Sequence, residues 1–561
     1  FLNAVPRDMA MEQQLHFEVS IGNIAAIQAL IQQGAEMNAQ DQEGKTPLHL
    51  AISRNDSEVM DILLGANAGT NVKDEDGRTP LHLAASNRNI DAIRSLIKAG
   101  AEINVQDKDG NSPIHLAAAE KDCNDSEVMD ILLGANAGTN VKDEDGRTPL
   151  HLAASNRNID AIRSLIKAGA EINVQDKDGN SPIHLAAAEK DCNDSEVMDI
   201  LLGANAGTNV KDEDGRTPLH LAASNRNIDA IRSLIKAGAE INVQDKDGNS
   251  PIHLAAAEKD CNDSEVMDIL LGANAGTNVK DEDGRTPLHL AASNRNIDAI
   301  RSLIKAGAEI NVQDKDGNSP IHLAAAEKDC TSDIIDLFLE NENGGDINLK
   351  NNKEETPPYR AVIAPNIRLV KYFIKKGFDV NTADKYGNTG GHNAAFNGRY
   401  EMMKLLLDHG FDPNFQNGKD YIPLHFAARE NHKEVVNLLI DSNSDINTLC
   451  RTGDSPIMLA ARLGHNDIVS LLVELGAKTV LKDGRSILHA AAKGNRLLTI
   501  QHIMADYGEI FTEILEIQWK DLTAEDYANI NGSHSIAWLL NKQQKKRQLV
   551  QPVVDHQLKV S

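Results

Sequence analysis

The segment NDSEVMDILLGANAGTNVKDEDGRTPLHLAASNRNIDAIRSLIKAGAEINVQDKDGNSPIHLAAAEKDC occurs four times in succession, at 55–123, 124–192, 193–261 and 262–330, without one difference. A block that recurs at a fixed 69-residue period presents the same surfaces at each junction. Copies therefore stack on their neighbours and do not share one central core. This is why a chain of 561 residues, long enough for roughly three or four ordinary domains, need not be divided that way. Within a copy, the Asn that follows the turn recurs after 33 and then 36 residues, as Asn71, Asn104 and Asn140, so one copy holds two structural repeats. Asn38, Asn348, Asn381, Asn414 and Asn447 carry the spacing into divergent sequence on both sides.

The local signals inside a repeat agree with one another. Thr79 caps a helix whose first position is Pro80, the pairing that a helix start favours. Leu81, Ala84 and Ala85 give that short helix one apolar side. Asn89 caps a second helix, Ile93, Leu96 and Ile97 line its inner face, and Gly100 supplies the left-handed residue that ends it. The alternate repeat has Asn136 in place of Gly100, the next best residue for that conformation. Asp76-Gly77 marks a tight β-turn projecting from the stack.

The pattern D-x-x-G-x-T-P-L-H-x-A-A followed by L-I-x-x-G-A-x-x-N resembles the ankyrin repeat, from about residue 12 to about 540. The resemblance implies a mainly α fold: an ankyrin-repeat solenoid of helix-turn-helix units with β-hairpin loops, about fifteen of them. Regular repeats run over 12–330, divergent ones over 331–495 and irregular capping repeats over 496–541. Residues 1–11 form an N-terminal segment and 542–561 a polar tail, read as disordered. Thr356-Pro357-Pro358-Tyr359 and Thr389-Gly390-Gly391-His392 depart from T-P-L-H, and Ser455-Pro456-Ile457-Met458 lacks the His. Trp538 is expected to close the C-terminal end.

Aromatic residues make up 3% of the chain, too few for rings to fill the interior, so small and aliphatic side chains must. The formal net charge is −26, which repels phosphate backbones and anionic lipid surfaces and favours basic proteins as partners. No stretch approaches the ~20 apolar residues of a membrane span, and the N-terminus lacks a basic-then-apolar leader. The expected compartment is the cytoplasm, with the nucleus as alternative. Lys545-Lys546-Arg547 reads as part of a solvated tail in preference to a nuclear-localisation fragment. The chain begins with Phe and is read as a fragment.

Several residue patterns invite chemical readings. The histidines of the motif (His82, His115, His151, His184, His220, His253, His289, His322) stand a repeat apart, too far to converge on a metal; the resemblance implies a hydrogen-bonding role between adjacent turns. Cys123, Cys192, Cys261 and Cys330 lie in or beside the insertion Lys-Asp-Cys, where they are expected near solvent and unpaired, as a reducing compartment allows. Asp107 and Asp109 are read as hairpin-tip acids open to water. No phosphate loop, nucleophile motif or calcium loop is present in the sequence, and neither catalysis nor a cofactor is expected.

The favoured reading is a monomeric, non-catalytic scaffold or adaptor. By resemblance its hairpin tips and first helices form the concave recognition face. The side chains expected on that face, and not required by the motif, are Glu75, Asp76, Arg78, Ser86 and Asn87 in one repeat and Lys108, Asp109, Asn111 and Glu120 in the next, with their copies. Each 69-residue unit carries twelve acids against seven bases, so the four copies hold −20 of the −26; the favoured partner is basic and multivalent. The alternative is the ankyrin portion of a larger protein, such as a channel's cytosolic arm or a latrotoxin-like toxin. Asn104, Asn173, Asn242 and Asn311 each follow Ala-Glu-Ile, eight residues after a Leu. That spacing is similar to the substrate pattern of the asparaginyl hydroxylase that modifies ankyrin repeats, which implies these four as hydroxylation positions.

Overall fold

The computed structural model describes residues 10–558 except 121–125, 191–194, 260–263 and 341–343, and for 549–558 the helix alone is described. Among the described residues there are 33 helices and no strand. The chain divides into two compact units, Phe1–Pro287 with Asp298–Ala308, and Leu288–Ile297 with Glu309–Ser561. Each is a stack of helix pairs. In the first unit, helix Pro149–Ser155 packs between Pro113–Ala118 and Pro182–Ala187, while Ile159–Lys167 packs between Glu127–Gly134 and Glu196–Gly203. First helices thus form one layer and second helices another. In the second unit, Gly390–Phe396, Pro423–Arg429, Pro456–Leu463 and Ile487–Lys493 follow each other in the same way.

Each pair forms where the local signals place it. Thr79 is extended (φ −88°, ψ 165°), Pro80 opens helix Pro80–Ser86, and Asn89 accepts the Ala92 N–H at 2.9 Å to start Ile90–Lys98. Arg88 between the two helices is left-handed (φ 55°), as are Gly100 (φ 88°) after the second helix and Asn136 (φ 65°) in the alternate repeat. Leu81, Ala84, Ala85, Ile93 and Leu96 are fully buried. The expected inner face needs one change: Ile97 is half-buried, and Ala92 fills the seam with Ile93 and Leu96. Alanine there lets helix backbones approach closely, and each buried Leu or Ile contributes about 1.5–3 kcal/mol relative to exposure.

The divergent repeats keep this geometry by substitution elsewhere. Thr389-Gly390-Gly391-His392 lacks the Leu that normally fills the seam. A Cβ on Gly391 would lie 2.1 Å from the Phe411 ring, so the aromatic ring that follows the second helix of the same repeat occupies that volume. Tyr359, where the motif has His, is buried and donates its hydroxyl to Asp384 of the next turn at 3.3 Å.

The C-terminal end departs from expectation. Trp538 is 63% exposed, and Ile536 and Leu540 on the same helix are buried in its stead. Of the tail read as disordered, 542–558 belongs to helix His534–Leu558, and 559–561 lies outside the described residues. Asn541 donates to Glu525 at 2.9 Å and Arg547 to the Thr512 carbonyl at 2.6 Å, so an extra helix, Gly508–Ile514, gives the tail something to lie against.

Candidate functional site

The histidines occupy the seam between repeats. His82 Nδ1 accepts the Thr79 backbone N–H at 3.0 Å, which leaves the proton on Nε2; this nitrogen donates to the Asn111 carbonyl of the next repeat at 3.0 Å. The same bridge joins His115 to Arg147, His151 to Asn180, His184 to Arg216, His220 to Asn249 and His253 to Arg285. Burial lowers the pKa of His82 and its equivalents from 6.5, so they are neutral near pH 7. With both nitrogens engaged, these rings hold turns in place.

The turns themselves are narrow. Asp74 donates its N–H to the Arg78 carbonyl at 2.9 Å, and its carboxylate accepts from the N–H groups of Asp76 and Arg78. Backbone bonds then pass from tip to tip: Glu75 donates to the Glu43 carbonyl, Lys108 to Asp76 and Glu144 to Asp109, at 2.9–3.0 Å. Gly77 and Gly110 permit this approach. A Cβ on Gly110 would stand 2.5 Å from the Glu144 nitrogen. Tertiary contact between neighbours therefore sets the tips in one ridge.

Glu75, Asp76, Lys108 and Asp109 are exposed on that ridge. Ser86, Asn87 and Glu120 lie at the other ends of the first helices, about 10 Å away for a seven-residue helix. Three expected residues are drawn into structural work. Arg78 is half-buried over the carboxylates of Asp76 and Asp107, and its copy Arg147 pairs with Asp143 at 3.0 Å and Asp145 at 2.7 Å. Asn111 lends its carbonyl to His82. The copies of Asn87, namely Asn156 and Asn225, turn back onto Leu152 and Leu221 of their own helices. Asp107, read as open to water, is buried, because its Oδ1 accepts from the N–H groups of Asp109 and Asn111.

Asn104 is exposed, yet its carboxamide is tied at both atoms, accepting the Gly138 N–H at 2.8 Å and donating to the Asn136 carbonyl at 3.2 Å. Asn173, Asn242 and Asn311 are held by the same kind of two-sided bridge. Of the insertion cysteines, Cys123, Cys192 and Cys261 lie outside the described residues. Cys330 is not near solvent: it is 4% exposed, and burial pushes its thiol up to about 12. The sequence changes after it to Thr-Ser-Asp, helix Ser332–Leu339 starts at once, and Asn366 clamps the Cys330 carbonyl at 2.8 Å.

A family model for ankyrin repeats (3 copies) matches residues 15–107, 114–205, 183–271, 256–351, 325–417, 392–483 and 424–514. The chain belongs to the ankyrin-repeat family. No curated protein matches it. Ankyrin repeats are generally protein–protein interaction modules, and no described helix of this one is long and apolar enough to cross a membrane.

Sequence reasoning missed one part of the ankyrin surface. In the second unit a cleft of about 550 Å³ is lined by Lys385, Lys419, Arg429 and Arg451 together with Tyr386, Tyr421 and Phe426. The signal was present: Lys385-Tyr386 stands where the identical repeats read Glu75-Asp76 or Lys108-Asp109, so the tip loses the acid that both kinds keep. It goes unnoticed in a chain whose overall charge points the other way.

Proposed function

We propose that the protein is a non-catalytic scaffold or adaptor whose four identical double repeats bind a basic, multivalent protein partner along the tip ridge. The observation that carries this reading is the recurrence of one acidic tip, Glu75-Asp76 and its copies Glu144-Asp145, Glu213-Asp214 and Glu282-Asp283. With neighbouring helices ~10 Å apart, each patch recurs roughly every 20 Å. Every further patch engaged by the same partner binds at high effective concentration. Lys108, Asp109, Ser86 and Glu120 complete the face; Arg78, Asn87 and Asn111 shape it. A soluble monomer in the cytoplasm or nucleus fits this role. In a host that has the hydroxylase, Asn104, Asn173, Asn242 and Asn311 are its positions, read out as a gain of one oxygen on the corresponding peptides.

The test is the affinity of a tandem Lys/Arg peptide for the full chain and for chains lacking one or two 69-residue units, at several salt concentrations. Affinity should rise steeply with unit number and fall with salt. Affinity indifferent to unit number would leave the acids with a solubilising role only.

A further inference from the structure

The cleft of the second unit inverts the charge of the ridge at equivalent positions. The identical repeats alternate Asp74-Glu75-Asp76-Gly77 with Asp107-Lys108-Asp109-Gly110 at the tip. Three successive divergent tips read Asp384-Lys385-Tyr386-Gly387, Asn417-Gly418-Lys419-Asp420 and Cys450-Arg451-Thr452-Gly453. The same backbone ladder aligns them: Gly418 donates to the Tyr386 carbonyl at 2.8 Å and Arg451 to the Lys419 carbonyl at 3.0 Å. Each of these tips carries a lysine or arginine at its crest, and the acid that both kinds of identical tip keep at the second crest position (Asp76, Asp109) is replaced by Tyr386, Lys419 and Thr452.

The wall of the cleft is built from residues that a repeat does not need for its own fold. Phe426 stands where the identical repeats have Leu83, and Arg429 where they have Ser86. Tyr421 and Phe426 lie 5.4 Å apart, tilted by 32°. The Arg429 guanidinium sits 5.0 Å over Phe426 and 5.4 Å over Phe396, steadied by Glu430 at 2.7 Å. Arg451 is 3.6 Å from Asp420. Among the described residues, Lys385 and Lys419 have no ion-pair partner and are exposed, and no acid lines the cleft. Tyr386, 62% exposed, offers a further ring beside them.

On the reading that this ankyrin array binds proteins, we propose that the cleft formed by Lys385, Lys419, Arg451, Tyr421, Phe426 and Arg429 docks an extended acidic peptide segment of a partner protein, with one aromatic or aliphatic side chain on the Tyr421–Phe426 wall. Three tips ~10 Å apart span about 20 Å, the length of roughly six residues at ~3.3 Å each. Carboxylates along such a segment meet Lys385, Lys419 and Arg451 in turn. A long phosphate polymer fits less well, because the net −26 of the chain opposes it wherever it extends beyond the cleft. One protein would then carry two recognition surfaces of opposite polarity.

The experiment uses the full chain and a fluorescein-labelled six-residue Asp/Glu peptide with a central Trp, read by anisotropy, with a single-stranded oligonucleotide as comparison probe. Variants adopt residues that the identical repeats already carry at the same positions: the double substitution Lys385→Glu with Lys419→Asp, and Phe426→Leu. Circular dichroism should be unchanged in each. The charge variant should weaken the acidic peptide about tenfold or more, and Phe426→Leu by several-fold. Phe426→Leu should leave the tandem basic peptide of the preceding test unaffected and the charge variant should not weaken it, so the two readings fail separately. No saturable binding of the acidic peptide, a charge variant within about twofold of the parent, tighter binding of the oligonucleotide, or binding replaced by self-association of the chain would each overturn the proposal.

Discussion

His220 Nε2 donates to the backbone carbonyl of Asn249 across 3.0 Å, although the two residues are 29 apart in the chain. Its other nitrogen accepts from Thr217, so one neutral ring joins a helix start to the turn of the following repeat.

Replacing it with H220A strands the Thr217 N–H and the Asn249 carbonyl in a buried seam, at a cost of about 2–4 kcal/mol. Because repeats couple to their neighbours, amide exchange should accelerate mainly around 217–249. Loss of protection spread evenly over the unit would contradict this picture.

The neutral histidines also set a pH dependence. Burial lowers His392 and His425 from 6.5 to about 4. For a base whose folded pKa is depressed, the unfolded chain binds more protons between the two values, so stability rises with pH there. The contribution is complete above 6.5 and is lost as pH falls towards 4, on the order of 3 kcal/mol for each of these two rings. Urea midpoints across that window should fall. In a variant where both rings are Gln, that part of the slope should disappear.

Two glycines separate backbone conformation from close approach. Gly238 has φ +84° with nothing near its Cβ position, whereas Gly179 has φ +78° and a Cβ 2.5 Å from the Glu213 nitrogen. G238A should cost about 1 kcal/mol for the left-handed conformation alone. G179A should cost clearly more and disturb the tip ladder. Equal midpoints in a thermal melt would remove the ladder from the account.

Cys330 and Cys450 are buried, and Cys450 Sγ lies 3.1 Å from the Thr452 hydroxyl. Neither should react with a thiol reagent under native conditions, and both should react in denaturant. Peptide mapping after labelling checks each site by itself.

Removing one whole copy, 193–261, rejoins equivalent interfaces and should leave the fold intact. Removing half a copy should not be neutral. Arg163 pairs with Glu196 at 2.7 Å and Ser164 donates to Asp130 at 3.0 Å, both between alternate repeat types. Joining like to like abolishes such pairs, and its melting should lose cooperativity.

Much of this protein was legible without tertiary information. Thr79-Pro80, Asn89 and Gly100 dictate helix starts and stops through caps and left-handed backbone, which are local effects, and the exact repetition of 69 residues dictates stacking. What stayed hidden depends on neighbours distant in the chain. Trp538 is exposed because Ile536 and Leu540 face the preceding helices, Cys330 is buried because Asn366 closes over it, and Gly391 is tolerated because Phe411 fills its space. The site divides in the same way. Residue types alone place Glu75 and Asp76 on a turn and reveal the acidity of the array. Only the packed stack takes Arg78 and Asn111 into structural bonds and brings Lys385, Lys419 and Arg451 onto three aligned tips, because the backbone bonds between turns form only once neighbouring helices have buried their apolar sides.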